Sequence, residues 1–432
     1  MITSDLWRGK RFAVLGLARS GAATVRALVA SGATVIAWDM DEARRQAVIH
    51  HYPAGLTLAD TATLDLAGFD GVVVSPGVPI NAHPVARRAR AAGVPMIGDI
   101  ELFAQARPAL PPHRVVGITG TNGKSTTTAL LHHIVAGAGV PTLMGGNIGL
   151  PILEQDPLPA GGVYVLELSS YQIDLTFSLD CDVAVLLNIT PDHLDRYDGF
   201  EGYAAAKARL FAMQSAGHKA IISIADAPSA QIARALSARG EDLIKIAPGF
   251  CMDQSRWPAL QGPHNAQNAL AAINAAQALG IPEGAIDEGL ASFTGLAHRM
   301  QTIAVRNGVT FVDDSKATNP ESAAPALGSF ESIHWIVGGR AKGNDLSACR
   351  PHFGRIARAY TIGEAGDRFA EILSADLPVE RCETLDRAVA AAAVRASAGE
   401  TVLLSPACAS FDQFRDYEAR GDAFRHAVEA LA

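Results

Sequence analysis

The chain has 432 residues, enough for about three domains, and its 49% hydrophobic and 19% charged content describes packed cores rather than a disordered chain. A formal charge of −8 argues against non-specific nucleic-acid binding, and five scattered cysteines with no Cys-x-x-Cys pair argue against a disulfide framework or a cysteine metal cage. The Met1–Arg8 opening lacks the apolar core of a signal peptide and no apolar run is long enough to span a membrane, so a cytoplasmic protein is expected.

Apolar runs alternate with amphipathic stretches, the rhythm of βαβ units and mostly parallel sheets. Arg11–Leu17 and Thr34–Trp38 are expected as strands flanking a helix from about Ser20 to Ala30, and Gly71–Ser75 and Val94–Ile97 continue that sheet. The first turn, Leu15-Gly-Leu-Ala-Arg-Ser-Gly21, lacks Gly-x-Gly-x-x-Gly. Two readings stay open: a Rossmann-type turn with phosphates at Ser20 and Gly21 and a ribose or base near Asp39, or a tight turn packing helix on strand. Ser75-Pro-Gly-Val-Pro79 is a second rigid turn at a strand end, where open α/β sheets bind ligands; alone it also reads as a plain turn.

Pro108-Ala-Leu-Pro-Pro-His113 is a proline-rich break before the most informative segment, Gly117-Ile-Thr-Gly-Thr-Asn-Gly-Lys-Ser-Thr126. A strand over Val115–Thr119, a glycine turn and a helix over Thr126–Ala138 predict a phosphate cradle. Loop amides and the helix N-terminus face the anion, Lys124 reaches the terminal phosphates and the Ser125 hydroxyl ligates Mg²⁺. The spacing departs from the generic P-loop, with Ile118 where Gly is usual. The loop predicts use of a nucleoside triphosphate without identifying the reaction.

Gly145-Gly-Asn-Ile-Gly149 reads as a flexible turn carrying the Asn147 amide. Strands are expected at Val163–Leu168, Val183–Asn188 and Ala220–Ile224. Glu167 interrupts the first of these near its C-terminal end; a carboxylate there needs a cation, either Mg²⁺ beside the phosphates or a structural ion-pair partner. Leu187-Asn-Ile-Thr-Pro-Asp-His-Leu-Asp-Arg196 is another strand end loaded with polar groups, with His193 either a metal ligand or a surface residue. Lys207 lies in a helical Ala204-Ala-Ala-Lys-Ala-Arg209 stretch and by pattern alone is a solvated surface lysine.

His264–Leu279 is a long Ala/Asn-rich helix, and Thr294-Gly-Leu-Ala-His-Arg299 reads as a hinge. A third unit is expected from strands at Val309–Val312, Ile333–Val337, Ala359–Ile362 and Thr401–Leu404. Three polar loops follow three of these strands: Asp313-Asp-Ser-Lys-Ala-Thr-Asn-Pro320, Gly338-Gly-Arg-Ala-Lys-Gly343 and Ser405-Pro-Ala-Cys-Ala-Ser-Phe-Asp-Gln413. Cys408, with no evident His partner, reads as a small buried filler.

In order along nearly the whole chain, these segments resemble the Mur ligase family. The carrying motifs are Gly120-Thr-Asn-Gly-Lys-Ser-Thr126, Gly146-Asn-Ile-Gly-Leu-Pro151, Glu167-Leu-Ser-Ser170, Asp192-His-Leu-Asp-Arg196, Ala206-Lys207, His264-Asn265 with Asn268, Thr294-Gly-Leu-Ala-His-Arg299, Asp314-Ser-Lys-Ala-Thr-Asn319 and Ser405-Pro-Ala-Cys-Ala-Ser-Phe-Asp-Gln-Phe414. The last two single out the D-glutamate-adding branch.

The resemblance implies an α/β fold of three domains: a Rossmann-like UDP-sugar domain at 1–106, a P-loop ATPase-type central domain at 107–295 and a Rossmann-like amino-acid domain at 296–432. It implies ATP-dependent amide formation through an acyl phosphate, with UDP-N-acetylmuramoyl-L-alanine, D-glutamate and ATP as substrates, by a monomer. Gly120, Thr121, Asn122, Gly123, Lys124, Ser125 and Thr126, with Asn268, His298, Arg299 and Asp314, are implied as ATP contacts. Leu17, Ser20, Asp39, Ser75, Gly77, Asn147, Ser169 and His193 are implied for the UDP-sugar, and Lys316, Thr318, Lys342, Ser410, Phe411 and Tyr417 for glutamate. Two Mg²⁺ ions are implied, one on Ser125 and Glu167 and the other on His193 and a Lys207 carbamylated by CO₂; Lys124, Glu167, His193 and Lys207 form the catalytic set. Met40-Asp41 and Ala18-Arg19-Ser20 depart from relatives' residues there, and Arg19 is an alternative phosphate cation. Rival readings are a folylpolyglutamate-type or L-glutamate-adding ligase, a P-loop switch protein that hydrolyses nucleotide to change partners and, behind these, a dinucleotide oxidoreductase.

Overall fold

The computed structural model describes residues 1–51, 55–192, 196–247, 252–341, 343 and 345–431. Three mostly parallel sheets are built in chain order. The first holds β1 (Arg11–Leu15), β2 (Thr34–Trp38), β3 (Leu56–Leu58), β4 (Gly71–Val74) and β5 (Met96–Ile97), in the order β3-β2-β1-β4-β5. The second holds β6 (His113–Thr119), β7 (Thr142–Gly146), β8 (Gly162–Glu167), β9 (Val183–Leu186), β10 (Lys219–Ser223) and β11 (Leu243–Ile246), in the order β11-β10-β9-β6-β8-β7. The third holds β12 (Gln301–Arg306), β13 (Val309–Asp313), β14 (Ile333–Gly338), β15 (Ile356–Ile362), β16 (Val379–Glu383) and β17 (Thr401–Leu404), in the order β12-β13-β17-β14-β15-β16. Only β12 runs antiparallel to its neighbour among the described pairs.

Strands with a neighbour on each side and helices on both faces are buried and read as nearly continuous apolar runs. Accordingly β4, β8, β9, β14 and β17 are buried at every residue. The strands absent from the sequence reading, β3, β7, β11, β12 and β16, all lie at sheet edges. With one neighbour each, they keep half-exposed positions and lack a continuous apolar run. Gly145 and Gly146, read above as part of a flexible turn, end β7 and pair with Leu166 and Glu167 of β8.

The chain packs as two compact units, Met1–Cys251 with Gln267–Leu290, and Met252–Ala266 with Ala291–Ala432. The first contains two sheets joined by one apolar cluster, in which Trp7, Leu28 and Phe103 of the first sheet's layer meet Leu153 and Tyr164 of the second. The second unit has one sheet with a cluster on each face, one around Trp335 and Phe369 and the other around Phe311, Tyr360 and Phe424. The four described cysteines are free and buried. No helix among the described residues is long and apolar enough to cross a membrane.

Candidate active site

The P-loop forms as expected, except that its helix starts two residues early, at Lys124, and runs to Gly137. Gly123 caps it at φ +84, and a Cβ there would overlap Oδ1 of Asn268, on the helix Pro263–Ala278, so only glycine seats the turn against that second helix. The end of β9 staples the loop. Asn122 N–H donates to Asn188 Oδ1 (2.9 Å), Asn188 Nδ2 donates to Asn122 O (3.1 Å), and Thr121 N–H donates to Asn188 O (2.9 Å). Thr190 N–H donates to Thr121 Oγ1 (3.0 Å), which also shares a hydrogen bond with Tyr203 Oη (3.1 Å). Asn188 belongs to the polar segment that follows β9, and its pairing is not legible in the sequence because it depends on β9 lying beside β6.

Lys124 Nζ donates to Gly120 O (3.0 Å) and Thr121 O (2.8 Å). Lys207 Nζ donates to the same Gly120 oxygen at 2.8 Å and lies 4.6 Å from the Tyr203 ring centroid. Lys207 is 1% exposed, which overturns the reading of a solvated surface lysine. Its helix, Gly199–Ala212, turns this face onto the loop. Burial, and next the charge of Lys124, hold the amine well below the usual lysine range.

Glu167 is the last residue of β8 and is buried. Asn147 binds it twice: the backbone amide donates to Glu167 O (2.9 Å) and Nδ2 donates to Oε1 (2.8 Å). Ser125 is buried in the first turn of the P-loop helix and Thr126 is half-buried. Ser169 caps the next short helix, its Oγ accepting from Gln172 N–H (3.2 Å). Among the described residues no three His, Cys, Asp or Glu side chains converge as a metal cage. A hydroxyl and one carboxylate beside a phosphate cradle do fit Mg²⁺, which binds through few protein oxygens and takes others from phosphates. His193 lies outside the described residues.

At the first sheet, Leu17 N–H (2.6 Å) and Asp41 N–H (2.9 Å) donate to the Asp39 carboxylate, and Arg44 approaches it at 3.5 Å. Burial pushes this carboxyl up, but the two amides and Arg44 outweigh it and hold it below the ordinary range. Ser75 Oγ donates to Gly16 O (2.8 Å), tying the two turns together, while Ser20 is half-buried and Gly77 exposed. Arg19 reaches the second sheet's layer and donates to Gly149 O (2.8 Å). Arg196 reaches back, donating to Pro76 O (3.2 Å) with its guanidinium 3.8 Å from the Tyr171 ring centroid.

In the second unit, the ends of β13 and β17 gather another group. His298 Nδ1 is 2.7 Å from Asp313 Oδ2. That hydrogen bond raises the His298 pKa against its burial. Asp314 accepts from Ser405 Oγ (2.7 Å) and Met300 N–H (3.2 Å), yet burial pushes its carboxyl up to about 7. Lys316 Nζ lies 3.6 Å from the Tyr417 ring centroid. Arg420, which the sequence did not single out, is buried and donates to Ser315 Oγ (2.9 Å), Ser315 O (2.7 Å) and Cys408 O (3.0 Å). It knits the loop bearing Lys316 to the loop bearing Ser410. Arg299 and Thr318 are half-buried, Ser410 is buried and Phe411 is exposed. Cys408 is a buried filler, as expected, with its thiol pushed up to about 12 by burial. Lys342 lies outside the described residues.

Residues 10–98 match the MurD-like N-terminal domain of Mur ligases, residues 118–250 the Mur ligase middle domain and residues 298–408 the Mur ligase glutamate ligase domain. The chain is 61% identical to the UDP-N-acetylmuramoylalanine–D-glutamate ligase of Novosphingobium aromaticivorans, covering 100% of this chain and 97% of that one. It is 59% identical to the protein of the same name from Sphingopyxis alaskensis, covering 100% of both. Among solved structures, Thermotoga maritima MurF in complex with ADP superposes with a TM-score of 0.61 at 15% identity, over 98% of this chain and 96% of that one. Thermotoga maritima UDP-N-acetylmuramate-alanine ligase gives 0.60 at 18% identity, over 98% and 99%. These two likenesses concern the fold alone. With full-length identity at this level and three Mur ligase domains matched in order, the chain belongs to the Mur ligase family.

Proposed function

We propose that this chain is an ATP-dependent ligase that joins D-glutamate to UDP-N-acetylmuramoyl-L-alanine, a step in peptidoglycan precursor synthesis. The supporting relatives carry that activity in their names over the full length of the chain. The observation that carries the site is the convergence of Lys124 and Lys207 on the Gly120 carbonyl, inside a stapled phosphate loop and with Glu167 on the adjacent strand.

In this reading residues 1–106 take the UDP-sugar, 107–295 the ATP and 296–432 the amino acid. The alanyl carboxylate attacks the γ-phosphorus and ADP leaves, giving an acyl phosphate. The D-glutamate amine then attacks the acyl carbon, the ammonium proton is lost and phosphate departs. A carboxylate is a poor electrophile, so phosphorylation supplies the leaving group and the protein supplies position and charge. Gly120 to Thr126 cradle the phosphates, with Lys124 on the β/γ-phosphates; Asn268, His298, Arg299 and Asp314 complete the nucleotide contacts. Leu17, Ser20, Asp39, Ser75 and Gly77 serve the uridine diphosphate, and Asn147, Ser169 and His193 the muramoyl-alanyl end. Lys316, Thr318, Lys342, Ser410, Phe411 and Tyr417 receive glutamate, whose two carboxylates call for cations and hydroxyls.

Mg²⁺, when bound, spreads the charge developing on the transferred phosphoryl group. Ser125 and Glu167 would hold one ion, and His193 with Lys207 the second. An ammonium repels a dication, so Lys207 serves only after carbamylation, which turns it into an anionic oxygen ligand. The buried, neutral-leaning amine suits that reaction, because CO₂ is attacked by the free base.

The test is ADP release with UDP-N-acetylmuramoyl-L-alanine while the acceptor is varied among D-glutamate, L-glutamate and diaminopimelate. Turnover coupled to D-glutamate is expected. ADP release independent of any amine would sink the reading in favour of a nucleotide switch.

A further inference from the structure

The loop after β17 carries Ser410, 2% exposed, beside Phe411, 64% exposed. An aromatic side chain this open has little packing of its own to hold it, so its position must be set by neighbouring anchors. Arg340 and Ala409 exchange backbone hydrogen bonds at 2.9 Å each, which ties this loop to the one after β14. The loop after β14 is tied in turn to the end of β15, by Gly339 N–H to Ile362 O (3.1 Å) and Ala365 N–H to Gly339 O (2.9 Å).

One side chain closes the ring. Asp412 Oδ2 accepts from the Glu364 amide at 2.9 Å. The receiving turn is Gly363, at φ +68, and a Cβ there would overlap Asp412 Oδ2 and crowd Gly339 Cα at 2.9 Å. A strand, a glycine turn and the helix Gly366–Leu373 form the layout that often receives a ligand anion. Here the chain's own carboxylate stands on the turn. Gln413, the next residue, adds a second anchor by donating to Glu383 O (2.8 Å).

We infer that Asp412 is a positioning residue for the acceptor amino acid: by seating on the Gly363 turn it fixes the loop that presents Ser410 and Phe411. This rests on the reading that these two residues meet D-glutamate. Asp412 need not touch the substrate. Its loss frees the loop and weakens acceptor binding without disturbing the phosphate loop, which belongs to the other packed unit.

Steady-state kinetics on the full chain test this with D412A, D412N, D412E and S410A. D412A is expected to raise the KM for D-glutamate about tenfold, with the KM for ATP and for the UDP-sugar within about twofold of the parent. D412N should stay near the parent, because its side-chain oxygen still accepts the Glu364 amide. D412E carries an extra methylene that displaces the loop, so its glutamate KM should also rise; it decides the matter if D412A does not fold. Equal changes in all three KM values, or D412N as impaired as D412A, would overturn the role. A glutamate KM raised in S410A but normal in D412A and D412E keeps the reading of the loop and overturns Asp412 alone. No change in S410A, D412A or D412E overturns both.

Discussion

Lys207 and Lys124 donate to one carbonyl oxygen, that of Gly120, at 2.8 and 3.0 Å. Two ammonium groups on one acceptor repel each other, and the more deeply buried one gives way. Burial and the Lys124 charge both favour the neutral amine at Lys207.

Replacing Lys207 by Ala should therefore abolish ligation, with partial rescue by small carboxylates that occupy the place of the proposed carbamate. Full activity in the variant without rescue would sink the carbamate. The depressed pKa keeps the amine neutral at pH values where an ordinary lysine is charged. Activity should thus depend on bicarbonate and fall as acid protonates Lys207. An assay in CO₂-depleted buffer, then with bicarbonate restored, checks this.

Asn188 holds Asn122 by two hydrogen bonds, so Asn188→Ala leaves a loop amide and a carbonyl without these partners. A loss of about 1–3 kcal/mol in loop order is expected. It should appear as a KM for ATP raised by about fivefold to 150-fold, with little change in the KM for glutamate. Equal effects on both substrates would mean general destabilisation instead.

Gly123→Ala forces a Cβ onto Asn268 and a left-handed residue into the cap. Nucleotide binding, followed by titration calorimetry, should be lost or weakened at least tenfold. With Asn268→Ala alone as the reference, adding Gly123→Ala should still weaken binding, because the backbone conformation costs about 1–2 kcal/mol. Binding equal to that of Asn268→Ala would show that the clash was the whole effect.

Asp314 is buried with its pKa pushed up to about 7, from 3.8. Between those values the folded state binds more protons than the unfolded chain, so this group lowers stability as pH rises from about 4 to about 7. Asp314→Asn should flatten that part of a plot of Tm against pH. An unchanged slope would show that Asp314 ionises normally.

Lys316→Ala removes a cation from the loop after β13 and should raise the KM for D-glutamate while acyl-phosphate formation persists. An unaltered dependence of rate on glutamate concentration would count against its role.

The sequence by itself determined the interior of each sheet. β4, β8, β9, β14 and β17 are buried on both faces, so each is written as a mostly apolar run, broken only by Glu167 in β8, His334 in β14 and Thr401 in β17, and the strand-turn-helix of the phosphate loop is specified by adjacent residues. Edge strands such as β7 and β12 have one neighbour and a half-exposed pattern, so only pairing made them visible. The same division runs through the site. Lys124 and Ser125 are candidates recognisable from their place after Gly123 alone. Lys207 sits in an alanine-rich helix that says nothing of burial, Asn188 staples a loop 66 residues earlier, and Asp412 seats on a turn 48 residues away. Local sequence sets backbone conformation and hydrophobic period; which polar side chains lose water and find one another depends on strands brought together from distant parts of the chain.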